Sequence, residues 1–203
     1  MMLRCLLLVI VGYLAGSLPF SVWLTRMGDR DVRAVGDGNP GAVNAFKAAG
    51  AAVGIAALLL DFLKGALPVA AAYWLVGLRG WWLTPVILAP VIGHMFPLFL
   101  RFRGGKALGV TLGVWIGLTV WRVSLPAVAL VLAWNAIFQP PGWAVMLTLA
   151  GLLGVILLWL PDSLLLTVLA GQIIILAWTH RADLRQRPRL RSWLGRLAGR
   201  GAP

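Results

Sequence analysis

Long apolar stretches separated by short polar breaks run along almost the whole of this chain. They are Leu3 to Leu24, Ala51 to about Leu78, Trp81 to about Leu100, Ala107 to Val120, Val123 to Phe138, Trp143 to Leu160 and Ser163 to Thr179. Apolar runs of about 18 or more residues read as membrane spans. The pattern therefore predicts an all-α, polytopic membrane protein with about seven transmembrane helices. The first run is long and is followed by others, so it is expected to be a retained helix rather than a signal peptide. The two runs after Lys106 are short, and their breaks, Trp121-Arg122 and Gln139-Pro140-Pro141-Gly142, carry turn residues. If those runs are partly re-entrant, the count falls to about five or six. The expected organisation is one integral membrane domain over 1–180 and a basic cytoplasmic tail over 181–203.

Composition sharpens this picture. Of the 203 residues, 61% are hydrophobic, and the mean hydropathy is +0.90, more apolar surface than a water-soluble core of this length needs. The formal charge of +12 would suit a nucleic-acid partner in a soluble protein. In a membrane protein, basic loops mark the cytoplasmic face and meet anionic headgroups, so membrane lipids and not nucleic acid are the expected partner. With the N-terminus outside and the C-terminus inside, most of the 18 basic residues fall on inner segments: Arg26, Arg30, Arg33 and Lys47, then Arg101, Arg103 and Lys106, then the arginines after His180. Trp81, Trp82, Trp121, Trp143 and Trp178 lie near the expected span ends, as an aromatic belt would. The tail interleaves arginines with Leu184, Leu190, Trp193, Leu194 and Leu197 and reads as an interfacial or frayed segment. Cys5 is the single cysteine, which excludes an internal disulfide, and two histidines are too few for the usual protein metal site. No metal and no cofactor is expected.

Against this background stand three polar, glycine-rich islands: Gly36 to Asn44, Asp61 to Gly65, and Gly93 to Lys106. Polar side chains near bilayer depth are costly and mark sites. In the first island, Gly38, Pro40 and Gly41 are turn residues, and Asn39, Asn44 and Lys47 exceed what a turn needs. Asparagine both donates and accepts, which suits hydroxyls and phosphate oxygens. Asn44 and Lys47 share a face if a helix has begun. In the third island, Gly104-Gly105-Lys106 leads into a helix, so backbone amides, a helix dipole and an ammonium could converge on an anion. A plain re-entry turn with positive-inside charge explains the same residues equally well. Asp61 and Lys64, three apart in an apolar run, read as an ion pair inside the bundle, and His94 as a residue that fixes a helix end. His180 opens the basic tail, where it could reach a phosphate or sit among headgroups.

The order and spacing of these islands resemble the bacterial acyl-phosphate:glycerol-3-phosphate acyltransferase family. The likeness runs from Gly16-Ser17-Leu18-Pro19-Phe20 to about Arg185, and is carried by Gly38-Asn39-Pro40-Gly41-Ala42 with Asn44, by Asp61 with Lys64-Gly65, and by Gly93-His94, Pro97 and Gly104-Gly105-Lys106. The resemblance implies seven helices, a cytoplasm-facing site in a bacterial inner membrane, no metal and no covalent intermediate. The hydroxyl of glycerol-3-phosphate would attack the acyl carbonyl of acyl phosphate, giving lysophosphatidate and phosphate. It implies Asn39, Lys106 and His180 as catalytic residues. Asp37, Gly38, Gly41, Asn44, Lys47, Gly104, Gly105 and Asp183 would bind substrate and phosphate, supported by Asp61, Lys64 and His94. Asp37 stands where the family has serine, and Asp183 where it has asparagine. A second reading is therefore a diverged relative acylating another small acceptor. A third, of a different class, is a non-catalytic transporter or lipid-binding membrane protein, since polar breaks also interrupt transporter helices.

Overall fold

The structure, a computed structural model, describes residues 2–197. The end of the expected tail, 198–203 with Arg200, lies outside the described residues, as does residue 1. The described chain is mostly helical and separates into two compact units, Met1–Ser124 and Leu125–Pro203.

In the first unit, α1 (Met2–Ser17) and α2 (Phe20–Arg26) form one apolar span broken at Leu18-Pro19. Proline lacks the N–H that would continue the ladder, and at Pro19 the backbone leaves the helix, with φ −93° and ψ 60°. Next, α3 (Ala42–Ala70) continues through a π-helical turn (Ala71–Leu75), giving an apolar span of 34 residues. This helix begins well before the apolar run expected from Ala51, and the two boundaries reconcile at Gly50. Gly50 has φ 84° and ψ −177°, so the helix breaks there and resumes at Ala51. The short first segment places Phe46 against Gly54, where a Cβ would lie 2.6 Å from that of Phe46. α4 (Leu83–Met95) and a 3₁₀ turn (Leu98–Leu100) form the next span, and α5 (Leu108–Thr119) is a shorter apolar helix.

Small residues bring these helices close. A Cβ on Gly16 would collide with the Pro90 carbonyl, and one on Gly93 with that of Tyr13, which seats α1 on α4. Gly113 and Gly117 meet the Phe62 and Ala66 carbonyls in the same way, which seats α5 on α3. Between membrane helices there is little hydrophobic drive, so such backbone approach supplies the packing. The buried centre includes Val69, Leu83, Ile87 and Trp115. Leu6, Leu7 and Val11 of α1 and Leu59 and Leu63 of α3 stay exposed on the outside, as lipid-facing side chains do.

In the second unit, α6 (Ser124–Ile137), which starts at the unit boundary, is followed by α7 (Pro141–Trp159) and α8 (Ser163–Thr179). Asp162 caps α8, accepting from the amides of Leu164 at 2.7 Å and Leu165 at 3.3 Å. Two short helices follow, α9 (Arg181–Leu184) and α10 (Ser192–Leu197). The start of the basic tail is held against α6. A two-residue strand, β2 (Arg189–Leu190), pairs antiparallel with β1 (Phe138–Gln139), Arg191 Nε donates to the Asn135 carbonyl at 2.6 Å, and Trp193 Nε1 to that of Ala136 at 2.9 Å. Among the described residues, four helical segments are long and apolar enough to cross a membrane and three more are apolar but shorter.

Candidate functional site

The second island lies on α3 within the first unit. Lys64 Nζ and Asp61 Oδ1 are 2.7 Å apart, with both side chains almost wholly buried. The lysine also donates to the Leu18 carbonyl at 2.8 Å, a carbonyl left without a helical partner by the Pro19 break. His94 Nδ1 lies 3.9 Å from Asp61 Oδ1, at the end of α4. A charge pair is tolerated in the interior when each ion has such partners. Asp61, Lys64 and His94 therefore tie α3 to α1 and α4.

The first and third islands meet one another. Asp37 Oδ2 is 3.0 Å from Lys106 Nζ, and Asn39 Oδ1 accepts from the Lys106 amide at 3.1 Å. Asp37 Oδ1 accepts from the Asn39 amide at 3.2 Å and from Asn44 Nδ2 at 2.9 Å. Asn44 Nδ2 also reaches the Asn39 carbonyl at 3.0 Å. Gly36 and Gly38, at φ 61° and 71°, take the left-handed turn that brings Asp37 round. A Cβ on Gly36 would strike Asn44 Oδ1 and lie 3.1 Å from Lys47 Nζ, so the ammonium of Lys47 sits beside the same turn. Gly41 caps α3 in extended conformation, which leaves Asn44 and Lys47 one turn apart on a begun helix.

Burial would raise the Asp37 pKa, but the Lys106 hydrogen bond, the Asn39 amide, the Asn44 amide and the Lys106 charge together outweigh it, so its carboxyl is held below the ordinary value of 3.8. It is a carboxylate at neutral pH.

Gly104 and Gly105 act differently from the anion nest expected of them. Their amides donate to the Met95 and His94 carbonyls, at 3.2 and 3.1 Å. The last carbonyls of a helix lack partners, and these two glycines supply them for α4. Side chains there are excluded: a Cβ on Gly104 would collide with the His94 carbonyl, and one on Gly105 would lie 2.5 Å from His94 Nε2 and 3.1 Å from Asn39 Oδ1. Both amides are thus engaged by the end of α4, and the polar groups that face the Asp37 turn are the side chains of Asn44 and Lys106. A small cleft is lined by Ser17, Ser21, Lys64 and His94 together with Pro40 and Gly105, the neighbours of Asn39 and Lys106 in the chain.

His180 and Asp183 belong to the second unit. His180 is buried, with Nδ1 3.0 Å from the Leu176 carbonyl oxygen and 3.1 Å from Thr179 Oγ1. A Cβ on Gly142 would lie 2.6 Å from that of Asp183 and 3.1 Å from that of His180, so these residues gather at the start of α7.

Two residues outside the expected set hold the cradle of the first unit. Arg33 Nη2 donates to the Arg103 carbonyl at 2.8 Å, and Ser21 Oγ to the Pro40 carbonyl at 2.7 Å. A hydroxyl inside an apolar run is the sequence signal that could find Ser21, whereas Arg33 reads as one more positive-inside charge. Among the described residues no group of histidine, cysteine, aspartate and glutamate could hold a metal ion.

Comparison with known proteins adds an independent line. The glycerol-3-phosphate acyltransferase family profile matches residues 6–188. A glycerol-3-phosphate acyltransferase of Pseudomonas aeruginosa (strain PAO1) is 42% identical over 181 residues, covering 88% of this chain and 93% of that protein. One of Aquifex aeolicus (strain VF5) is 36% identical over 194 residues, covering 91% and 95%. The crystal structure of PlsY (YgiH), an integral membrane glycerol 3-phosphate acyltransferase, in its glycerol 3-phosphate form superposes with a TM-score of 0.81 at 29% identity, covering 98% of this chain and 94% of that one.

Proposed function

The chain belongs to the glycerol-3-phosphate acyltransferase family, and from that premise we propose that it transfers the acyl group of an acyl phosphate to a hydroxyl of glycerol-3-phosphate, as a step in phospholipid synthesis. The observation that carries the reading is the cradle in which Asp37, Asn39 and Asn44 meet Lys106. An acyl phosphate is a mixed anhydride and already activated. The enzyme therefore needs mainly to position the hydroxyl and to balance charge. A carbon–oxygen bond forms to the hydroxyl, the bond from the acyl carbon to the phosphate oxygen breaks, and inorganic phosphate leaves, taking up in net the hydroxyl proton. Lys106 and Lys47 supply positive charge for phosphate, while the amides of Asn39 and Asn44 supply neutral donors and acceptors.

The same reading takes all seven apolar helices as crossing, with the N-terminus outside and the C-terminus inside. It is supported by the bias of basic residues towards 26–47, 101–106 and the chain after His180. The cradle then faces the cytoplasm of a bacterium, at the inner membrane, where a soluble phosphorylated acceptor and a membrane-borne acyl donor can meet.

The test is phosphate release from a long-chain acyl phosphate by the purified protein, with and without glycerol-3-phosphate, beside Lys106→Ala. Release should require glycerol-3-phosphate and fall about 100- to 1000-fold in the variant, as when one preorganised charge donor is removed. Release indifferent to glycerol-3-phosphate yet lost with Lys106 would overturn the acceptor, and no release at all would overturn the reaction.

A further inference from the structure

We propose that the Asp37 carboxylate is an internal stand-in for the substrate phosphate: it fills the cradle of Asn39, Asn44 and Lys106 in the empty protein, and the incoming phosphate displaces it, so that Asp37 sets the affinity for the phosphorylated acceptor. The inference rests on the site reading above and deepens it.

The donor set argues for this. One carboxylate oxygen takes a backbone amide and a side-chain amide, and the other takes an ammonium. An amide, an asparagine and a lysine are what a phosphate recruits. Exposure points the same way. The Asp37 side chain is 51% exposed, against 6% for Asp61, so it can swing into solvent without carrying a charge through the interior. It is flanked by Gly36 and Gly38, which put no side chain in its way. A phosphate at Lys106 would lie beside a second anion unless Asp37 moved, because like charges a few ångströms apart repel. Its depressed pKa keeps that anion present at neutral pH.

Two other roles fit less well. A carboxylate stabilised by three donors is a weak base, which argues against proton abstraction from the hydroxyl. A purely structural role would rest on the bond from Asp37 Oδ1 to the Asn39 amide, the turn that aspartate and asparagine both make. Asp37→Asn separates the two, because it keeps that acceptor and deletes the charge.

The experiment measures KM and kcat for glycerol-3-phosphate in the full chain, its Asp37→Asn variant, and Asp29→Asn as a control that removes an exposed carboxylate from the same interval. Asp37→Asn should lower KM by about fivefold with kcat within about twofold, the scale of one displaced, partly exposed charge pair. Asp29→Asn should change KM by less than about twofold. A parallel calorimetric titration with inorganic phosphate, without acyl donor, should show about fivefold tighter binding in Asp37→Asn. That arm requires no turnover, so it judges the stand-in even if the chain makes no lysophosphatidate. An unchanged KM with unchanged phosphate affinity, a kcat loss at constant KM, or no phosphate binding in either protein would each overturn the proposal. Should Asp37→Asn fail to fold, Asp37→Ser, which also removes the charge, takes the same titrations and is judged by the same outcomes.

Discussion

The first unit contains two aspartate–lysine pairs of nearly equal length, Asp61–Lys64 at 2.7 Å and Asp37–Lys106 at 3.0 Å. Their surroundings are opposite. Asp61–Lys64 joins positions one helical turn apart, is buried, and is bracketed by the Leu18 carbonyl and His94. Asp37–Lys106 joins loops far apart in sequence and opens to the outside. Distance alone therefore says nothing about role. A buried pair cannot exchange partners, because either ion alone would be stranded in a medium of low polarity. A half-exposed pair can, because water or a ligand replaces what is lost. The first pair fastens helices, and the second lies where water or a ligand can reach it.

The contrast can be broken or sharpened by substitution. The largest effect is expected of Lys64→Met, which leaves the Asp61 charge buried and uncompensated. It should cost about 3–5 kcal/mol of stability, read as loss of the folded protein in a detergent melt. Asp61→Asn combined with Lys64→Met should recover much of that loss, since no lone charge remains. Lys106→Ala should act the other way round, abolishing most turnover while shifting the same melt by no more than about 1 kcal/mol. If it melted as early as Lys64→Met, the distinction between the two pairs would collapse. Asn39→Ala removes the acceptor for the Lys106 amide and should lower kcat/KM about tenfold with the melt little moved, the scale of one hydrogen bond near a charge. The smallest effect is on acid behaviour. A carboxylate with a depressed folded pKa contributes stability above its unfolded value, here 3.8, and loses it as pH falls through the lower folded value. The stability difference between the wild type and Asp37→Asn should thus stay flat across roughly pH 6 to 8 and shrink only in strong acid.

Much of this was legible in the chain. The helical, membrane-embedded class follows from the apolar runs, and even the start of one run at Ala51 corresponds to a physical break at Gly50. The ion pair at Asp61 and Lys64 was readable from spacing, because helix geometry puts i and i+3 on one face. The meeting of Asn39 with Lys106 was not, because a contact between residues 67 apart leaves no local pattern. The direction of the Gly104 and Gly105 amides was equally hidden. Glycine announces that backbone comes close to something, not whether its N–H points at a ligand or at a helix end. The pairing of Leu190 with Phe138 escaped for a simpler reason: two residues are too few to show the alternation of a strand.

The glycines between α1 and α4 and between α3 and α5 also invert the ordinary map of tolerance to mutation. In a water-soluble protein the bulky apolar residues are the unforgiving ones, since each fills a shaped hole in the core. Here Leu7, Val11 or Leu59 on the outer faces could be exchanged for one another with little consequence. Adding a single methyl group at Gly16, Gly93 or Gly113 would instead drive a carbon into a neighbouring carbonyl and pry two helices apart. Across a saturation library the sharpest losses should therefore gather at the smallest side chains, which carry neither charge nor a reactive group.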